Sequence, residues 1–161
     1  MSLVEARITE LGYKLPATPK PVAAYIPAIR SGNLVFTSGQ LPVFNGELVR
    51  QGVVGDGTVS IEDAKSDARL ACLNGLAAIK SVVGDLDHIE KVVRVAVFVQ
   101  STPDFYDQSK IANGASELLL ELLGEAGRHV RTSLGMVALP LNATVEVELT
   151  VQVREEQPYS V

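Results

Sequence analysis

The chain has 161 residues, 47% of them hydrophobic, with fourteen Lys and Arg against nineteen Asp and Glu for a formal charge of -5. That length suits one domain able to bury a real core, and an acidic balance with no basic cluster argues against nucleic acid as a partner. No apolar run approaches the roughly 20 residues that cross a bilayer, so no membrane partner is expected and the apolar excess belongs to a core or a subunit interface.

A single cysteine, Cys72, allows no internal disulfide. No charged leader with an apolar segment behind it opens the sequence, so the expected location is the cytoplasm. Residues 3 to 11 place Leu3, Ile8 and Leu11 at near-helical spacing before Gly12, which predicts a short first helix. The Pro-rich run "LPATPKPVAAYIP" cannot prolong it, because proline lacks an amide donor, and reads as an extended arm. "NLVFTSGQLPV" and "GELVRQGVV", joined by the turn-prone "FNG", predict a strand pair.

Ser60 followed by Asp63 is close to a capping box, and apolar residues then recur every three or four positions from Ile61 to Val83, predicting a long helix that stops near Gly84. Small residues at 68, 71, 72 and 75 let that helix lie close to a sheet, which makes Cys72 a buried small hydrophobe. "KVVRVAVFVQ" is uniformly β-branched and predicts a central strand. A second long helix from about Asp104 to Gly124 puts Ile111, Ala112, Ala115, Leu118, Leu119 and Leu122 on one face. Two strands follow, and if residues 140 to 144 form a tight turn, 131–139 and 145–153 make a hairpin with Glu146 near the turn and Arg131 at the far end. The polar tail "REEQPYSV" reads as frayed.

The predicted order after the first helix is ββαβαββ, an α+β fold of one sheet with two helices on one face. It divides into an N-terminal helix and arm (1–21), a core (22–153) and a tail (154–161) within one domain. Helices on only one face leave the other apolar face in need of a cover, for which further copies of the chain are the natural candidates. There is no phosphate-binding glycine loop, no nucleophile elbow, and no metal-ligand spacing, since His88 and His129 are the only histidines and stand far apart. No metal or cofactor is expected.

"GNLVFTSGQLP" (32–42) and "VRTSLGMVALPLNATVEVE" (130–148) resemble the strand and loop and the closing signature of the Rid family, the reactive intermediate deaminases or YjgF-like proteins. The resemblance runs from about Val22 to Val153 and takes in "VVRVAVFVQSTPDF" and Asn113. It implies a chorismate-mutase-like fold, a homotrimer, and ligand clefts between subunits in which enamines and imines are hydrolysed to 2-keto acids and ammonia. Arg131 falls on the family's arginine, whose planar fork suits a substrate carboxylate. Glu146 falls on its acidic position, where it would orient or deprotonate water, while Glu148 reads as a wet-face residue. Ser38, Gly39 and Gln40 occupy the family's ligand loop, with a bond to its own turn as the alternative for Ser38. Tyr25 matches a pocket tyrosine or anchors the arm. Asn113 is expected to support the pocket by bonding loop backbone, and His129, which shares strand parity with Arg131, to be exposed or structurally bonded.

Two departures stand out. Ser133 occupies the position where many deaminases carry cysteine; a serine can hold a water but supplies no thiol. Gly135 stands where an acidic residue is frequent. The added first helix and the extended "ELLLELLGEAGRH" resemble a longer bacterial branch. The readings left open are a hydrolytic deaminase, a non-catalytic module binding a keto or amino acid, and a ribonuclease or translation inhibitor, the last disfavoured by the negative charge.

Overall fold

The computed structural model describes residues 2–18 and 24–155. Helix α1 (Leu3–Glu10) begins at the Ser2 N-cap and buries Val4 and Ile8. Leu3, at near-helical spacing with Ile8, is nonetheless 82% exposed. Its amide and that of Val4 instead donate to the Asp87 carboxylate, at 2.8 and 2.9 Å, and these two bonds hold the Asp87 carboxyl below the usual carboxylate range. Part of the predicted extended arm, residues 19–23, lies outside the described residues, as does most of the tail, 156–161.

The main sheet has five strands in the order β1 (Ala28–Ser31), β2 (Leu34–Thr37), β7 (Val145–Val153), β5 (Ile89–Gln100), β6 (Val130–Met136). Every neighbouring pair is antiparallel except β5 with β6. Helices α2 (Ile61–Val83) and α3 (Gln108–Leu123) cover one face, giving the α+β fold expected. The Ser60 hydroxyl accepts from the Asp63 amide at 3.0 Å and Gly84 ends α2, both as predicted. All six apolar residues assigned to the inner face of α3 are buried. That helix starts at Gln108, later than predicted. Gly114 lets it press on α2, since a β-carbon there would overlap the Lys65 carbonyl. Cys72 is buried and its thiol is pushed up to about 12 by that burial, which fits an inert packing role.

The predicted first strand pair needs correction. Residues 34–37 pair with Ala28–Ser31 and with β7, not with 46–54. The "FNG" turn does form a hairpin, but a minimal one of β3 (Val43–Phe44) and β4 (Glu47–Leu48) outside the main sheet, with Asn45 and Gly46 both at positive φ. "AIRS" escapes sequence reading because it is a four-residue edge strand that carries a charge and follows Pro27.

The predicted hairpin of 131–139 with 145–153 does not form either. β5 lies between the two strands, parallel to β6 and antiparallel to β7. The chain leaving β6 must therefore cross the end of β5, and that strand's last residue, Gln100, holds it there. The Gln100 amide donates to Asn142 Oδ1 at 2.6 Å and to the Gly52 carbonyl at 2.9 Å, while its Oε1 accepts from the Leu139 amide at 2.7 Å. Leu141 and Asn142 take positive φ to make the crossing. At the far end of the crossing Thr144, fully buried, donates to Asp67 Oδ2 of α2 at 2.7 Å, which locks the start of β7.

Gln100→Leu keeps the volume of that buried residue but strands the Leu139 amide and the Gly52 carbonyl. It should lower the unfolding free energy by about 1–3 kcal/mol, read by urea denaturation. A change under about 0.5 kcal/mol, ordinary for a surface substitution, would show that the crossing is held some other way.

Candidate functional site

Residues facing one another across neighbouring strands project from the same face of a sheet. Arg131 pairs with Val95, whose side chain is in the core, so Arg131 projects from the helix-covered face. Glu146 pairs with Phe98, three residues further along β5, and projects from the open face. The two charges are thus two strands and three residues apart, on the order of 14 Å between α-carbons at roughly 4.8 Å per strand and 3.3 Å per residue. One chain does not bring them together.

Around Arg131 the polar groups come from a single stripe of α3. Nη1 donates to Asn113 Oδ1 at 2.8 Å and to Ser116 Oγ at 3.2 Å, and Nη2 donates to the Ser109 carbonyl at 3.3 Å. Positions 109, 113 and 116 follow helical spacing, so they form one rail along which the guanidinium lies. Asn113 therefore bonds the arginine itself, where loop backbone was expected. Three of the five guanidinium N–H groups are taken by described residues, leaving Nε–H and one Nη2–H. That remaining edge has the geometry of a bidentate carboxylate fork.

Two residues on, Ser133 shares the face of Arg131, in register with Val97, and its hydroxyl bonds no described residue. Gly135 is explained by packing. A β-carbon there would lie 2.8 Å from both Gln108 Nε2 and Ser101 Oγ, so the Gln108 amide fills the space into which an acidic residue at 135 would project.

Glu146 belongs to a second cluster. It is partly buried, and desolvation first, then repulsion from Glu148, pushes its carboxyl above the usual range. Gly39 makes room for it, since a β-carbon at 39 would overlap Glu146 Oε1. The loop is held in place by reciprocal backbone bonds of Gln40 and Val147, at 2.8 and 2.9 Å. Gln40 is buried and its amide donates to the Ser38 carbonyl at 3.1 Å. The Ser38 hydroxyl donates to the Ile26 carbonyl at 2.6 Å, tying the loop to the arm and not to its own turn. Tyr25 is 57% exposed. It lines a cavity of about 710 Å³ with Gly39, Gln40, Lys14, Leu41 and Asn74. Neither Arg131 nor Asn113 reaches that cavity. The predicted residues thus fall into two groups, Arg131, Ser133 and Asn113 on one and Glu146, Tyr25, Ser38, Gly39 and Gln40 on the other. Ser109 and Ser116 were passed over in the sequence, although their spacing from Asn113 marks them as one helix face.

The sequence matches the family described as "YjgF/chorismate mutase-like, putative endoribonuclease" over residues 5–153. The chain belongs to the Rid (YjgF-like) family. It is 38% identical to protein TCP17 of Trypanosoma cruzi over 92% of this chain and 93% of that one. It is 26% identical to the 2-iminobutanoate/2-iminopropanoate deaminase of Dermatophagoides farinae, over 84% and 91%. Among solved structures it is similar to Atu1372 of Agrobacterium tumefaciens, with 41% identity, TM-score 0.86, and 94% and 92% of the chains covered. It is also similar to E. coli TdcF with bound serine, with 25% identity, TM-score 0.61, and 86% and 94% covered. The fold of the chain is thus similar to that of these two solved structures. None of the helices among the described residues is long and apolar enough to cross a membrane.

The raised Glu146 carboxyl makes a stability prediction. Its folded pKa lies above the unfolded one, so its ionisation works against folding. The penalty is absent below the unfolded value of roughly 4.3, grows as pH rises through the folded pKa, and is constant above it. Glu146→Gln should therefore melt higher than the parent at pH 7, by a margin that shrinks as pH falls towards 4. A lower melting temperature for the variant at pH 7 would mean that the carboxylate is compensated in the folded state.

Proposed function

We propose that this protein hydrolyses reactive 2-imino acids, and the enamines in equilibrium with them, in a cleft between subunits of a homotrimer. The observation that carries the reading is the Arg131 guanidinium, fixed by three bonds to α3 with a two-donor edge left over. A fixed fork of that kind loses little freedom on taking up a small carboxylate. The named activity of the Dermatophagoides farinae relative, a 2-iminobutanoate/2-iminopropanoate deaminase, supplies the substrate class. Serine bound to TdcF is a ligand with the same α-carboxylate.

In this scheme Arg131 anchors the carboxylate and sets the imine carbon towards a water. The water adds to C2 of the imine, giving a carbinolamine. Collapse of the carbinolamine forms the C2 carbonyl and expels the nitrogen, which with the water's protons leaves as ammonia. Glu146 orients the water and accepts its proton, a role that suits a carboxyl raised by burial. The Ser133 hydroxyl, which bonds no described residue, offers a further hydrogen bond to that water. Ser38, Gly39, Gln40 and Tyr25 surround the Glu146 side of the cleft. The chemistry asks for no metal or organic cofactor.

Two features support completion of the cleft by a second copy. Arg131 and Glu146 stand on opposite faces of one sheet. The open face also leaves Ile29 (55%), Phe36 (40%), Val130 (66%) and Leu134 (48%) exposed, an apolar surface that association would bury. A second reading, a module that binds keto or amino acids without turnover, is favoured by Ser133 in the usual cysteine position.

Arg131→Ala should weaken binding of 2-oxobutanoate by on the order of 2–5 kcal/mol without unfolding the protein. Calorimetric titration reads the affinity, and a coupled assay with freshly generated 2-aminoacrylate and 2-aminocrotonate reads keto-acid release. Unchanged affinity in Arg131→Ala removes the carboxylate role. Tight binding by the parent with keto-acid release no faster than in buffer favours the binding module.

A further inference from the structure

The Arg131 clamp continues past Ser116. Ser116 Oγ lies 2.8 Å from His129 Nε2, and His129 Nδ1 lies 2.6 Å from the Gly127 carbonyl oxygen. A carbonyl can only accept, so Nδ1 carries a proton and donates it to Gly127. In the neutral ring Nε2 then has only a lone pair to offer, and the Ser116 hydroxyl donates to it. This assignment also spares the guanidinium a second cation one serine away. With its single proton committed to His129, Ser116 Oγ turns its lone pairs to Arg131 Nη1, 3.2 Å away.

We propose that His129 is a positioning residue for Arg131, acting through Ser116: by drawing off the hydroxyl proton it aims the Ser116 lone pairs at Nη1 and thereby holds the Nε/Nη2 edge in its carboxylate-binding orientation. A serine inside a helix has a competing acceptor, the carbonyl four residues earlier, here that of Ala112. Without the imidazole the hydroxyl turns to that carbonyl, and its lone pairs swing off the guanidinium. Ser116 sits on the Nη1 side and the free edge faces away from it, so neither Ser116 nor His129 touches the substrate. The chain of bonds runs from the 3-10 turn Gly124–Gly127 through the residue before β6, across to α3, and back to the start of β6. It therefore also couples the extended segment after α3 to the site.

The inference rests on the reading of Arg131 as a carboxylate-binding group, and its test separates the two. Calorimetric titration of 2-oxobutanoate should give Ser116→Ala and His129→Ala each a Kd raised on the order of tenfold, the scale of one hydrogen bond to a charged group. The double variant should bind no more weakly than Ser116→Ala alone, because His129 has no route to Arg131 once the hydroxyl is gone. His129→Gln, whose amide oxygen can still accept from Ser116, should recover most of the affinity. An unchanged Kd in His129→Ala, or losses that multiply in the double variant, would overturn the proposal. If Arg131→Ala binds as the parent does, the carboxylate reading fails and the positioning claim is decided without ligand. Nitrogen-15 NMR of the Arg131 side chain should then show separate, slowly rotating Nη groups in the parent and averaged ones in His129→Ala, and identical spectra would refute the positioning role.

Discussion

The position of β5 between β6 and β7 governs the rest of the molecule. Its valines Val92, Val95, Val97 and Val99 are buried in the core, it has a neighbour on each edge, and those neighbours are the two strands that close the sequence. Because β6 is parallel and β7 antiparallel to it, the chain between them crosses the end of β5 instead of turning back beside itself. That insertion puts two strand spacings between Arg131 and Glu146, and their register along β5, at Val95 and at Phe98, sets them on opposite faces. Gln100 is what makes the crossing affordable, satisfying the backbone of a segment with two residues at positive φ.

The two charged groups are treated differently by their surroundings. Arg131 keeps its charge solvated by protein oxygens: an amide, a hydroxyl and a carbonyl along α3 stand in for water and fix the fork. Glu146 receives no such compensation from the described residues. It is pressed against Gly39 and beside Glu148, and its carboxyl is raised in consequence. A stable cation with an open donor edge suits holding a carboxylate, and a carboxyl poised to take a proton suits general-base work. That division of labour is the physical basis for assigning them to two halves of one cleft.

Much of the frame was readable in the residues. The apolar repeat from 111 to 122 and the Ser60 cap identify α3 and α2 because helix burial and capping are local properties of the chain. The strands that went wrong depend on partners. "AIRS" becomes a strand only because β2 offers it an edge, and "FNG" makes a real turn whose strands are too short to join the sheet. Residues 140–144 look like a hairpin turn until Gln100, 39 positions before Leu139, is seen to hold the crossing. At the site, Arg131 and Glu146 stood out as charges within apolar strands. Ser116 and His129 did not, because what distinguishes them is a bond between α3 and the residue preceding β6, which no local pattern announces.

The central claim is that one cleft needs two chains. Mixed assemblies test it most directly: Arg131→Ala and Glu146→Gln proteins, each inactive alone, are combined under mild denaturant, returned to native conditions, and assayed for keto-acid release from 2-aminocrotonate. If Arg131 of one copy works with Glu146 of another, some clefts in the mixture carry both native groups and part of the parent activity returns. A mixture as inactive as either variant, after mass spectrometry has shown that subunits exchanged, would contradict the shared cleft.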